Sequence, residues 1–486
     1  MRRAAVASAL LLAGCAGTPS VSGVRAASPR PEVPWTPPAD AVPRVAPVDT
    51  SARAAVPPDL GDRIRRLTLT EIVDLGLRSN PTTRLAWANA HTAASVYGSE
   101  RGAWYPSIDA DVSAVRVKTA ASQGRSAVEQ SVFTPSVTLS YLLLDFGGRS
   151  GRVGGARNQL LSASFRHNAA IQDVVLQVQI AYFQYLANRA LLRAQRTTVE
   201  EAGTNLVAAE ERRRVGLATI ADVLQARTAA SQAQLTLQTI EGNVQTTRGA
   251  LALSLGLPAN LPFDVDTTVA IGDVAPLADS VNSIIATALQ GRPDLAASRA
   301  EVEAALAGVT EARGALLPSL GFSATGGRTY ATTIPDGADS YSLSLGLTIP
   351  IFSGFSRQHD LRAAEFEAEA ARARTETLRQ EVVFQVFSAY YALQTATRRV
   401  RTSEDLLASA TQANEVALAR YKAGVGSVLD LLASQSALAS ARAQRVEARL
   451  SWSVSLAQLA HDAGVLDPGV ESPLRLTNDT TAVPPR

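Results

Sequence analysis

The chain has 486 residues, of which 46% are hydrophobic, 5% aromatic and 19% charged, and its formal net charge is +2. So small a charge gives no electrostatic ground for nucleic acid or for a strongly acidic partner. No apolar run reaches the roughly 18–20 residues of a transmembrane helix, so any membrane crossing requires a closed β-barrel.

The N-terminus reads as a targeting signal. "MRR" is a positive n-region, and "AAVASALLLAG" is a short apolar stretch ending in small residues. "LAGC", Leu12 to Cys15, resembles a bacterial lipoprotein cleavage box. The resemblance implies a signal peptide over 1–14 and a lipidated Cys15 at the start of the mature chain. An ordinary secretory signal with an incidental cysteine is the plainer alternative. Ala16 stands where an acid would signal inner-membrane retention in related lipoproteins, so outer-membrane delivery is expected. Cys15 is the single cysteine, which fits an oxidising periplasm. Residues 15–60 are rich in Pro, Ala and Val ("SPRPEVPWTPPADAVPRVAPVD") and read as an extended strap.

The remainder is a duplication. "DVVLQVQIAYF", Asp173 to Phe183, aligns with "EVVFQVFSAYY", Glu381 to Tyr391, at an offset of 208. Asn80 to Ile108 aligns with Arg292 to Leu320 at an offset of 212, so that Pro81 meets Pro293 and Pro106 meets Pro318. The period is too long for a solenoid. We place repeat 1 at 61–258, a linker at 259–276, repeat 2 at 277–465 and a tail at 466–486.

Each repeat opens with a short helix, about Thr70–Ser79 and Ser280–Gln290. A second helix follows an X-Pro start, Pro81–Ala103 and Pro293–Leu316. Hairpins are then expected at about 106–145 and 318–351. In "VFTPSVTLSYLLL", Phe133, Pro135, Val137, Leu139, Tyr141 and Leu143 alternate with Thr134, Ser136, Thr138 and Ser140. In "YSLSLGLTI", Tyr341, Leu343, Leu345, Leu347 and Ile349 alternate with Ser342, Ser344, Gly346 and Thr348. Period two means strand, and about ten residues suit a tilted membrane strand. A soluble sandwich strand is the alternative. Loops are expected at "KTAASQGRSAVEQ" and "TTIPDGADS". Two hairpins supply four strands, too few to close a membrane barrel, so several chains must contribute. Trp104, Tyr105, Phe146 and Phe352 at one end, and Phe133, Tyr330 and Tyr341 toward the other, are candidates for interfacial girdles or for ordinary packing.

A long helix follows each hairpin. Ser150–Arg214, with Gly151, Gly154 and Gly155 expected to fray its start, would reach ~100 Å; Phe355–Tyr421 is similar. Ile171, Val174, Val175, Val178, Tyr182 and Tyr185 form a core stripe, as do Val382, Val383, Val386, Ala389, Tyr390 and Leu393. Breaks follow at about 214–219 and 422–427, with Gly216 matching Gly424 and Asp222 matching Asp430. Each returning helix is ~40 residues, or ~60 Å, and stacked on the helix before the hairpin it matches the long helix in height.

The duplicated plan, the paired "VGLATIADVL" and "AGVGSVLDLL" and the lipoprotein start together resemble the outer-membrane efflux (TolC-like) family over roughly Leu67–Val465. The resemblance implies a mainly α fold with membrane β. In it a homotrimer builds a twelve-stranded β-barrel, four strands per chain, continuous with a periplasmic α-barrel. It also implies a passive duct for drugs or small toxic molecules, with a periplasmic adaptor, an inner-membrane pump and outer-membrane lipid as partners. Val215, Gly216, Leu217, Ala423, Gly424 and Val425 match the family's adaptor-contacting tip turns. Thr219 and Ser427 fall where caps belong. Asp222 and Asp430 are then first-turn acids favoured by the helix dipole, or rings of acids around a narrowed pore. Tyr421 matches a family tyrosine that reaches toward the position of Asp222. Gly426 stands where some relatives place a locking arginine, and Gln225 and Ala433 where some place a second acid.

No catalytic group, cofactor, metal site or nucleic-acid partner is predicted. His91, His167, His359 and His461 lack metal-ligand spacing, and no phosphate loop follows a strand. A duct for type I protein secretion or metal-ion efflux is the near alternative, and a trimeric helical stalk or adhesin the distant one.

Overall fold

The computed structural model describes residues 67–119, 128–261, 264–265 and 279–466. The signal peptide, the lipidation expected at Cys15, the strap, most of the linker and all but the first residue of the tail lie outside them. Repeat 1 runs α1 (Leu69–Ser79), α2 (Pro81–Arg101), a single 3-10 turn (Gly102–Trp104), β1 (Ser107–Thr119), β2 (Val128–Leu144), α3 (Gly148–Arg214) and α4 (Ile220–Ser254). Repeat 2 runs α5 (Val281–Gly291), α6 (Pro293–Gly314), β3 (Ser319–Ala331), β4 (Ile334–Thr348), α7 (Ser356–Lys422) and α8 (Val428–Asp462).

The long helices have 67 residues each and the returns 35 each, or ~100 Å and ~53 Å. Helices α2 and α6, of 21 and 22 residues, lie along the remaining length of the long helices. In repeat 1, α3 packs against α2 and α4; in repeat 2, α7 packs against α6 and α8. The starts obey local chemistry. Thr68 and Glu71 close a capping box on α1, and Asn80 caps α2 ahead of Pro81. At both strand-to-helix corners two successive residues take positive φ: Phe146 and Gly147 at +48° and +110°, Gly354 and Phe355 at +63° and +65°.

The glycines expected to fray α3 are inside it. A Cβ on Gly151 would stand 2.4 Å from the Glu311 backbone nitrogen, and one on Gly314 would stand 2.3 Å from that of Gly148. These glycines let α3 and α6 touch backbone to backbone, which steadies the helix start. Nearby, Ser162 and Arg166 both donate to Glu301. Along the middle of α3, Val174, Val175, Val178, Tyr182 and Tyr185 are buried, and along α7 Val382, Val386, Ala389 and Leu393 are. Ile171, Val383 and Tyr390 are only partly covered, so the apolar stripe is narrower than the periodicity predicts. The inter-repeat segment is pinned to α3: Arg189 donates to Asp264 at 2.6 Å and Tyr185 at 3.1 Å.

The four strands form one antiparallel sheet in the order β1-β2-β3-β4. They have 13, 17, 13 and 15 residues, longer than the ten expected, and they absorb much of the expected loops. Lys118 and Thr119 end β1, and Val128 to Gln130 begin β2. The second loop shrinks to Thr332 and Thr333, because β4 begins at Ile334, which pairs with Ala331, and Ala338 to Ser340 pair with Thr329 to Gly327. A register shift between Thr329 and Ala331, with Gly337 at φ +74° under the Tyr330 ring, accommodates polar residues that read as a turn.

Candidate functional site

The register places the alternating residues on two continuous faces. Ile108, Val112, Val137, Leu139, Phe322, Ala324, Leu343 and Leu345 share one face through the pairs Ile108↔Leu139, Leu139↔Ala324, Ala324↔Leu343 and Phe322↔Leu345. Ile108, Val112, Leu343 and Leu345 are each 65% exposed or more, although burying such side chains is worth ~1.5–3 kcal/mol apiece. The opposite face carries Asp109, Asp111, Ser136, Thr138, Ser140, Ser323, Thr325, Ser342 and Ser344, and Thr138 and Thr325 share a hydroxyl hydrogen bond of 3.2 Å. An apolar outside and a hydroxyl-rich inside are the two surfaces of a membrane-embedded pore wall. Phe133 and Tyr330 sit ring to ring, 6.0 Å apart, toward one end of the sheet. At the other end, Trp104 is covered by the Arg149 guanidinium at 4.0 Å, while Arg149 donates to the carbonyls of Ala103 and Leu142.

The helix reversals lie at the opposite end of the long helices. In repeat 1, Gly216 has φ +80°, and the Leu217 amide donates to the Arg212 carbonyl at 2.8 Å. In repeat 2, Gly424 has φ +79°, and the Val425 amide donates to the Arg420 carbonyl at 3.0 Å. Both are Schellman-type C-caps, in which left-handed glycine lets the chain turn back and satisfy the orphan carbonyls. Val215, Leu217 and Val425 are exposed, at 58%, 76% and 69%; Ala423 caps α7.

The first-turn acids differ. Thr219 accepts from the Asp222 amide, and the Asp222 carboxylate accepts from the Thr219 amide and hydroxyl at 2.8 and 2.9 Å. Ser427 accepts from the Asp430 amide at 3.1 Å. Asp430 lines an open groove of about 440 Å³ with Arg420 and Gly426. Tyr421 is buried with Val428 and Leu431, and its ring carries the Arg212 guanidinium at 4.3 Å. Arg212 also donates to the carbonyls of Tyr421 at 2.8 Å and Lys422 at 3.3 Å. The Asp222 carboxylate is engaged by its own cap. No sequence pattern singled out Arg212, the first of three consecutive arginines; its role depends on which neighbouring helix end lies within reach.

A second ionic cluster was also not anticipated. His461, near the end of α8, bonds through Nε2 to Asp173 at 2.9 Å and through Nδ1 to Asp462 at 3.0 Å. Beside it, Arg292 is held by Asp294, Gln385 and the Asp462 carbonyl. Burial alone would lower the His461 pKa, but the bonds to Asp173 and Asp462 outweigh it and raise the value to about 9. Among the described residues no group of His, Cys, Asp and Glu is arranged to hold a metal ion.

Comparison with known proteins agrees with this arrangement. The family model described as outer membrane efflux protein matches residues 72–257 and 284–465, one segment in each repeat. Protein CyaE of Bordetella pertussis is 31% identical over 80% of this chain and 82% of its own. The solvent efflux pump outer membrane protein SrpC of Pseudomonas putida is 25% identical over 80% and 84%. Two solved structures share the fold: a membrane protein from Pseudomonas aeruginosa (TM-score 0.75, 24% identity, 82% of this chain and 93% of that one) and the CmeC outer membrane channel of Campylobacter jejuni (TM-score 0.74, 20% identity, 83% and 87%). A duplicated helical body with one membrane sheet, matched by the same family model in both halves, makes this chain an outer-membrane channel protein of the outer membrane efflux protein family.

Proposed function

We propose that three copies of the chain close into a twelve-stranded barrel and form the passive exit duct of a tripartite efflux system. One observation carries the reading: a four-stranded sheet with an apolar face and two unpaired edges, β1 and β4. Four strands cannot enclose a pore, and open edges are not tolerated in lipid, so further copies must supply the remaining strands. The tip turns at Val215, Gly216, Leu217 and Thr219, and at Ala423, Gly424, Val425 and Ser427, present apolar side chains on rigid caps, and this supports their docking a periplasmic adaptor that leads to an inner-membrane pump. Relatives named for solvent, toluene and antibiotic efflux support small toxic molecules as cargo. Lipidation of Cys15 adds a second membrane anchor.

Asp430, which lines the groove, is the better candidate for an acidic ring at the pore; Asp222 serves its cap first, and Tyr421 braces the turn. The assembly is tested by the mass of the protein in mild detergent, with a trimer expected and a monomer overturning it. The duct reading is tested by deleting the gene. Increased sensitivity to several unrelated toxic compounds is expected. Unchanged sensitivity together with a lost secreted protein overturns it in favour of a secretion duct.

A further inference from the structure

The hairpin turns lie at the end of the sheet away from the helices, so they point out of the outer membrane. Two offsets relate the hairpins. The first strands begin at Ser107 and Ser319, 212 apart. The second strands lead into corners whose positive-φ pairs, Phe146–Gly147 and Gly354–Phe355, are 208 apart. At these offsets Arg116 matches Arg328, and Phe133 matches Tyr341. An arginine and an aromatic ring thus recur at the same distance from the helices in each hairpin.

All four stand on the membrane face. On β1 and β2 this face runs from Ile108, Val112 and Val137 through Ala114 and Phe133 to Arg116, Lys118 and Glu129. On β3 and β4 it runs through Tyr341 to the cross-strand pair Arg328 and Asp339, with Tyr330 beside Phe133. Phe133 and Tyr341 are exposed. An arginine or lysine facing lipid costs ~2–4 kcal/mol at the bilayer midplane but only ~0–1 kcal/mol near the interface. Charged residues directly beyond the rings therefore set the outer edge of the hydrocarbon at this height.

The neighbouring acids do not use these cations up. Arg116 donates through Nε to Glu129 at 2.9 Å. Arg328 lies over the Tyr330 ring at 5.7 Å and donates through Nη2 to the Asp336 carbonyl at 2.9 Å. Its Nε stands 3.7 Å from Asp339, beyond hydrogen-bond reach. The other Arg328 donors and the whole Lys118 ammonium make no bond among the described residues. Three cations thus face two acids, and a guanidinium with spare donors matches two oxygens of one phosphate.

We propose that Arg116, Lys118 and Arg328 form a docking belt for a phosphorylated lipid of the outer leaflet. The lipid's phosphate oxygens take the spare donors, and its acyl chains lie along Phe133, Tyr330 and Tyr341 and the apolar face beneath them. The occupant follows from the two halves of the surface. A free anion would use the cations and not the rings; an uncharged lipid would use the rings and not the cations. The belt rests on the sheet being a membrane wall, and it holds whatever cargo the channel passes.

The test titrates the full-length protein in mild detergent with lipid A, an acylated disaccharide carrying two phosphates, and counts bound copies by native mass spectrometry. Lipid A is expected to bind roughly tenfold or more tightly than its dephosphorylated form or inorganic phosphate. Arg116→Gln with Arg328→Gln should weaken lipid A binding by about tenfold or more. Lys118→Gln breaks no bond among the described residues and should weaken it by about two- to fivefold. Arg213→Gln, at the far tip, should change nothing. Unchanged binding by the double variant overturns the belt, as does equal binding of dephosphorylated lipid A. Inorganic phosphate binding as tightly as lipid A overturns the lipid in favour of a free ion. If the double variant melts early, Lys118→Gln decides, and no loss there overturns the belt. Light scattering on the same samples reads the assembly separately: a monomer that still needs the three cations to bind lipid A overturns the trimer and leaves the belt standing.

Discussion

The two tip turns began as copies and now do different work. Both reverse a 67-residue helix through a left-handed glycine and a hydroxyl cap. In repeat 1 the acid is turned back onto its own cap, and the preceding arginine reaches across to the other repeat. In repeat 2 the acid and its arginine face an open groove, while the tyrosine is buried under the visiting arginine. The difference teaches that a turn's backbone chemistry is copied with the sequence, but its side-chain role depends on what lies beside it. The first copy's arginine finds its neighbour in the other repeat; the second copy's arginine lines a groove left open within the chain.

The largest expected effect comes from the other end of the helices, where the copies also diverge. Gly314→Ala would push a Cβ into the Gly148 backbone at 2.3 Å. It should cost about 3 kcal/mol, seen as a drop in Tm. Gly102→Ala, its counterpart with free space around it within the chain, should leave the stability of the separated chain within ~0.5 kcal/mol.

Next is the His461 cluster, which repeat 1 lacks: Leu253 and Ser254 stand at the positions equivalent to His461 and Asp462. Because the folded pKa of about 9 lies above the ordinary 6.5, the stabilisation is fully present below pH 6.5 and disappears as pH rises through about 9. The loss should approach 2–3 kcal/mol, allowing for partial exposure. Denaturant melts at pH 6 and pH 10 measure it, and His461→Gln should make them coincide. Asp173 and Asp462 bond the imidazole and hold its proton.

A smaller contrast is expected between the caps. Thr219→Ala removes both bonds of the hydroxyl while the residue-219 amide keeps its bond to the Asp222 carboxylate, and should destabilise the start of α4 by ~1–2 kcal/mol. Ser427→Ala removes one bond and should cost about half as much. Amide exchange in the first turns of α4 and α8 measures both. Smallest in stability is Asp430→Asn, expected to change melting by less than ~0.5 kcal/mol while lowering the channel's preference for cations in a bilayer. An unchanged preference would remove Asp430 from the pore.

Much of this was readable from residues alone. The duplication, the hairpins, the helix order and the tip glycines follow from periodicity and from conformational demands that only a few residue types meet. Strands run longer than the alternation suggests, because Pro335, Asp336 and Gly337 read as a turn but sit at a register shift between paired Ile334 and Ala338. The glycines of α3 were misread for a related reason. Alone they weaken a helix, but against α6 they permit backbone contact.

Sequence by itself therefore determined the architecture of each repeat, since caps, turns and alternating faces are local codes. Tertiary structure alone decided which arginine spans the tip, why His461 holds its proton and which face of α7 is left open. The first two depend on contacts between residues 209 and 288 positions apart, and no pattern along the chain encodes such separations.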